Sequence, residues 1–207
     1  DYFPLTSATL WLEWRLWAGL SNPAAGYHVS NIVLHAISAV LIWLILGKLR
    51  IPAAFWAALI FAVHPVNVSS VAWIAERKNV LSMVFVLSAL LCYLRFDDAG
   101  GRKWYALSLT AFGLALLSKT SVVMLPVVLL LLAWFKRRRL VRADVARTAP
   151  FFALALVLGL VTVFYQQQSI VGLDPRPEGL WSRLAALGWC AWFYLFSDFV
   201  PVSLATI

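Results

Sequence analysis

This chain is short of charge. Only 13% of its 207 residues are Asp, Glu, Lys or Arg, and 9 acidic residues stand against 17 basic ones. A soluble fold of this length cannot cover a composition that is 63% hydrophobic, so a water-soluble domain is excluded and an integral membrane protein is left. Cysteine is also scarce. Cys92 and Cys190 each sit in an apolar run, with no spacing for a disulfide or metal framework, and both read as small buried hydrophobes. There is no GxSxG, no Gly-rich phosphate loop and no HExxH. The net charge of +8 does not form a stripe for nucleic acid; it lies in loops between apolar runs, where it sets topology. A signal-peptide pattern is lacking and residue 1 is Asp, so the chain reads as a piece of a longer protein.

What is present is a series of apolar runs. The segment TLWLEWRLWAGL, with Trp11, Trp14 and Trp17 beside Glu13 and Arg15, is too short and too charged to span. It reads as an interfacial amphipathic helix ended by Pro23 and Gly26. Spans are expected over 28–49, over a shorter run from 52 to 64, and over 80–96. The run 104–135 is too long for one span, so two short helices turning at Lys119 are expected there. Further spans follow over 150–166 and 184–200, separated by the polar loop QQQSIVGLDPRPEG. The expected fold is all-α: a polytopic transmembrane helix bundle of about seven spans plus an interfacial N-terminal helix.

Charge placement sets the orientation. Lys48, Arg50, Arg95, Arg102, Lys103, Lys136, Arg137, Arg138, Arg139, Arg142 and Arg147, 11 of the 17 basic residues, fall on one side. The positive-inside rule makes that side cytoplasmic. Asp97 and Asp98 lie there and read as a solvated loop. The other side carries Glu76, Arg77, Lys78 and Asn79, together with Lys119.

That outer cluster holds the candidate chemistry. Arg offers a planar fork of donors and Lys a compact charge, a pair suited to gripping phosphate. Snorkelling of Arg77 and Lys78 to lipid headgroups is the plainer reading. Lys119, sunk at a tight turn, needs an anionic partner. Glu76 is the protein candidate and a lipid phosphate the ligand candidate. Short spans leave their turns below the lipid surface, so Arg77 and Lys119 are expected to face one recessed pocket. His64 precedes a proline at a helix end, as a polar cap or a substrate contact. His28, Asn31 and His35 share one helix face. The two histidines are about 10 Å apart along the axis, too far for one metal ion, so interhelical hydrogen bonding is expected and no metal site.

The stretches DYFPLT, YHVSNIVLHA, FAVHPVNVSSVAWIAERKNVLS, ALLSKTSVVMLP and PFFAL resemble one family. It is the bacterial polytopic proteins with C-terminal tetratricopeptide repeats, similar to the animal transmembrane O-mannosyltransferases that carry such repeats. The resemblance implies a GT-C glycosyltransferase fold, with residues 1–207 as part of one membrane domain of a bacterial inner-membrane protein. It places the first span and first outer loop upstream and the repeats downstream. It implies transfer of a sugar from a polyprenyl-phosphate carrier to an acceptor, protein being expected, on the periplasmic face and with no separate cofactor. A catalytic acid is expected in the upstream loop, with Glu76 as the fallback. Arg77 and Lys119 become phosphate-site candidates, joined by Lys78, Asn79 and His64. Relatives commonly carry Glu where this chain has Ser69, a departure that bears on activity. Two other functions stay open: a non-catalytic module that binds polyprenyl phosphate or anchors a repeat domain, and a transporter, for which no internal repeat is visible.

Overall fold

The computed structural model describes residues 3–169 and 179–199, which form helices joined by short turns. The helices are α1 Pro4–Trp17, α2 Pro23–Lys48, α3 Ala54–Val63, α4 Val68–Ala72, α5 Arg77–Ala99, α6 Arg102–Ser118, α7 Leu125–Arg137, α8 Arg142–Ser169 and α9 Leu180–Phe199. No strand occurs among the described residues, as the all-α reading required. Residues 170–178 of the polar loop lie outside the described residues.

Each expected span is a helix, but not each helix is a complete span. Pro23–Lys48, Ile74–Ala99, Thr120–Arg137 and Arg142–Gln167 are long and apolar enough to cross a membrane. α3 and the stretch Pro65–Ala72, bent by 49° at His64, together make a fifth, broken crossing. By length and composition alone, four of the about seven expected spans qualify among the described residues, or five with the broken pair. The 10 residues of α3 reach only about 15 Å, half the hydrocarbon thickness. α6 has 17 residues, just under a span's length.

Local chemistry explains the boundaries. Pro4 and Pro23 occupy the first turns of α1 and α2, where a missing N–H leaves no bond unmade. Gly26 is not a breaker as expected. It lies inside α2, and a Cβ there would meet the Trp17 ring at 2.6 Å, so glycine lets the end of α1 pack flat on α2. α8 begins at Arg142, eight residues before Pro150. An Asp144 carboxylate oxygen accepts the Val141 N–H at 3.1 Å and starts the helix early, leaving Pro150 in its interior. α2 ends where the Ile51 N–H bonds the Leu46 carbonyl and the Arg50 N–H the Gly47 carbonyl, both at 3.0 Å. That closure needs a left-handed residue, and Arg50 supplies it at φ 57°. Arg138 ends α7 the same way, also at φ 57°. Glycine is the usual residue at such positions; a residue with a Cβ costs roughly 1–2 kcal/mol there.

The core lies between α5, α6, α7 and α8, with α2 packed on the far side of α5. Leu94, Phe112, Leu116, Leu129 and Phe151 are buried in it. The Phe151 ring stands 5.7 Å from Phe112 and 5.8 Å from Tyr93, within the usual range for tilted and edge-on aromatic pairs. Ser108 donates to the Ala89 carbonyl at 2.7 Å, tying α6 to α5. Cys190, expected to be buried, is exposed on α9. α1 is amphipathic in its exposure. Trp11 and Trp14 are more than half exposed, and the Arg15 guanidinium lies 5.1 and 5.4 Å from their ring centres.

Candidate functional site

The cluster expected on the outer face surrounds the N-terminus of α5. Two breaks in the chain create it. His64-Pro65 ends α3, and extended backbone at Trp73 ends α4, so the segment 64–76 folds as short turns across the top of α5. Asn31 of α2 fixes this segment. Its Nδ2 donates to the Val71 carbonyl at 3.0 Å and to the Trp73 carbonyl at 3.2 Å. His35 Nε2 contacts the Ala62 carbonyl at 3.1 Å. Asn31 and His35 therefore act in interhelical hydrogen bonding, as their spacing indicated, while His28 lines a cavity beside them.

Arg77 is 1% exposed, and its guanidinium is almost fully engaged within the chain. Nε donates to Asn31 Oδ1 at 2.5 Å. Nη1 pairs with Glu13 Oε1, and Nη2 donates to Glu13 Oε2 at 2.8 Å and to the Tyr27 carbonyl at 3.0 Å. Four of its five N–H donors are used, two of them in a bidentate fork. Arg77 thus pins α1 and α2 to α5, and the fork expected for phosphate closes on a carboxylate instead. By its local sequence Glu13 is only a charge that keeps α1 from spanning. Yet it is the one acidic residue between Asp1 and Glu76, so a buried Arg in this part of the chain has few partners to choose from.

Lys119 lies where α6 stops, in extended backbone before a 3₁₀ turn over Thr120–Met124. This is the tight turn foreseen from the length of the apolar run. Its Nζ donates to Asn79 Oδ1. Asn79 has no freedom to turn away. Its Nδ2 is spent on Glu76 Oε2 at 2.6 Å and on Ser70 Oγ at 3.1 Å, which leaves Oδ1 aimed at the ammonium. Among the described residues no carboxylate lies within 4.0 Å of Lys119. Glu76, expected as its partner, reaches it only through the Asn79 amide. Glu76 also meets the Lys78 ammonium at 3.5 Å, and Lys78 stands 5.7 Å from the Phe3 ring centre. Lys78 is half-buried and belongs to this surface pair.

A groove of about 410 Å³ opens beside Lys119. Asn79, Ser82, Lys119 and Ser121 form its polar part, and Met83, Val86, Leu90, Leu125 and Val128 of α5 and α7 form an apolar wall. Thr6 Oγ1 donates to the Ser118 carbonyl at 3.0 Å, so α1 is docked next to the turn that carries Lys119. Arg77 does not line this groove. The shared pocket expected for Arg77 and Lys119 is thus not formed: the ion pair with Glu13 holds Arg77 in the α1–α2–α5 junction. His64 lines a different cavity of about 360 Å³ with His28 and His35. Its Nδ1 accepts the Val66 N–H at 3.3 Å, a capping role. Ser69 sits on α4, where its carbonyl accepts the Trp73 N–H at 3.2 Å.

The geometry has relatives in sequence. A protein O-mannosyl-transferase of Caenorhabditis elegans is 37% identical over 101 residues, 46% of this chain and 14% of that protein. The protein O-mannosyl-transferase TMTC3 of Homo sapiens is 33% identical over 115 residues, 54% of this chain and 12% of that protein. The protein O-mannosyl-transferase TMTC4 of Mus musculus is 30% identical over 142 residues, 58% of this chain and 19% of that protein. The chain therefore aligns with under one fifth of the length of each of these three relatives. No solved structure matches it. The family described as dolichyl-phosphate-mannose-protein mannosyltransferase matches residues 4–163, across α1 to α8 and both breaks around the outer cluster. With helices that cross a membrane and a matched stretch that takes in Arg77, Asn79 and Lys119, the chain belongs to the dolichyl-phosphate-mannose-protein mannosyltransferase family.

Proposed function

We propose that this chain is part of a membrane glycosyltransferase that moves a sugar from a polyprenyl-phosphate carrier to a protein hydroxyl, and that Lys119 holds the carrier's phosphate. One observation carries the reading. Lys119 is a half-buried cation with a neutral internal partner, at the edge of a groove whose wall is apolar. An ammonium has three donors, and among the described residues only one is accounted for. A polyprenyl phosphate matches that arrangement: an anionic head for Lys119, an apolar tail for the wall of α5 and α7.

The chemistry follows from the donor. The acceptor oxygen bonds to the sugar's anomeric carbon while the bond from that carbon to the phosphate oxygen breaks. The phosphate leaves with the electron pair, and the acceptor's proton goes to a base. Charge grows on the departing phosphate, and a cation fixed beside it lowers the barrier. Asn79 is a positioning residue: it orients the ammonium, and Glu76 and Ser70 orient Asn79. Glu76 is thereby committed to Asn79 and Lys78, and the base is taken, from the resemblance of the motifs alone, to be an acidic residue of the family's first outer loop. The remaining parts of the reading are a periplasmic site on a bacterial inner membrane and a repeat domain after the membrane domain. They rest on charge asymmetry and on the resemblance of the motifs.

The test uses the intact protein with polyprenyl phosphate and the matching polyprenol. Lys119→Ala is expected to weaken phosphate binding by about tenfold to a hundredfold, the range of one charge-assisted contact, and to leave the polyprenol unchanged. Equal binding of polyprenyl phosphate by the variant and the wild type overturns the assignment. Orientation is tested separately. A membrane-impermeant thiol reagent should label Lys78→Cys in intact cells and miss Arg139→Cys; the reverse pattern rejects the outward site.

A further inference from the structure

The opposite end of the bundle carries a larger cavity, about 620 Å³, lined by Lys48, Arg50, Leu94, Asp98, Phe135 and Lys136 among others. It lies where α2, α5 and α7 end. Lys48 and Lys136 both reach Asp98 at 2.6 Å, so one carboxylate is shared between two ammonium groups. Arg50 is exposed, and among the described residues no carboxylate lies within 4.0 Å of its guanidinium. It also occupies the left-handed position that closes α2, where glycine is free of strain and arginine is not. A strained residue with an unspent fork of donors, at the rim of a basic cavity, is a reason to look for a ligand.

We propose that this cavity binds the phosphate headgroup of an anionic phospholipid. Arg50 supplies the planar fork to the phosphate oxygens, and Lys48 and Lys136 add positive charge while Asp98 keeps them in place. Leu94 and Phe135 give the glycerol and the first acyl carbons an apolar surface. Basic pockets between membrane helices take anionic headgroups in this way. The site is separate from the Lys119 groove, and nothing in it depends on sugar transfer.

The experiment uses the intact protein in nanodiscs that mix phosphatidylglycerol with phosphatidylcholine. Native mass spectrometry reads the lipid that stays bound on release. Wild type should retain phosphatidylglycerol in preference. Arg50→Gly should lower that retention about fivefold, the share of one interfacial cation. Its unfolding temperature in phosphatidylcholine alone should rise, because glycine relieves the strain at the end of α2. Lys48→Gln should also lower retention. Arg139→Gln removes a charge from the same end outside the cavity and should leave retention at the wild-type level. The proposal is overturned if Arg50→Gly keeps its phosphatidylglycerol, if Arg139→Gln loses as much as Arg50→Gly, or if Arg50→Gly unfolds at a lower temperature. It is also overturned if inorganic phosphate displaces the lipid at equal concentration, which would make soluble phosphate the ligand.

Discussion

Helix α5 carries charge at both of its ends, and the two ends deal with it differently. At the Ala99 end, the carboxylates are shared. Asp97 meets Lys136 at 2.5 Å, Arg137 at 2.9 Å and Arg147 at 4.0 Å, and only 7% of its side chain is exposed. Asp98 bridges Lys48 and Lys136, and Asp144 accepts from Arg137. The pair read as a solvated loop is instead the last turn of α5 and the hub of an ion network. At the Arg77 end, charges are divided rather than shared. Arg77 takes a whole carboxylate from Glu13, and Lys119 is left with an amide oxygen. A network in which each carboxylate serves several cations mainly holds helices together. A cation offered only a neutral partner beside an apolar groove is prepared for an anion from outside.

The largest test of this contrast is Arg77→Ala. Removing one partner of a buried pair leaves Glu13 uncompensated, so a loss of about 3–5 kcal/mol is expected in unfolding of the detergent-solubilised protein. Replacing Arg77 and Glu13 together by leucine should restore much of that loss. A loss under about 1 kcal/mol for Arg77→Ala would mean that Arg77 is no more structural than Lys119, against the burial penalty expected of it.

Lys119→Ala should behave in the opposite sense. It should cost no more than about 1 kcal/mol in the unfolding transition while carrier binding falls, because one half-buried hydrogen bond to a neutral partner is lost and no carboxylate is left unpaired. A strongly destabilised Lys119→Ala would make the ammonium a structural pin and erase the difference between the two cations.

Gly26→Ala probes how the Glu13 arm is held. The added methyl would stand 2.6 Å from the Trp17 ring, and overpacking of this kind costs about 1–3 kcal/mol. Limited proteolysis should then cut α1 faster while α5 to α8 stay resistant. Equal protection of α1 in variant and wild type would show that Trp17 yields without releasing the helix.

The smallest effect belongs to the other end. Lys48→Gln should change stability by roughly 0–1 kcal/mol, since the pair with Asp98 is partly exposed and Asp98 keeps Lys136. A larger loss in thermal unfolding would show that the network acts as one unit.

The sequence by itself determined that this is an all-α membrane protein, that basic residues gather at one end, and that the chain turns at Lys119. These follow from hydropathy, helix rise and charge counts, all local along the chain. It also carried the shared face of His28, Asn31 and His35, because a spacing of three and four residues is a helix property. The tertiary structure decided which charges meet. Glu13 and Arg77 are 64 residues apart, and Asn79 and Lys119 are 40 apart. No local pattern records those pairings. They arise because α1, α2, α5 and α6 converge at one end of the bundle, where a buried guanidinium must find a carboxylate and an amide already committed on one side must present its oxygen on the other.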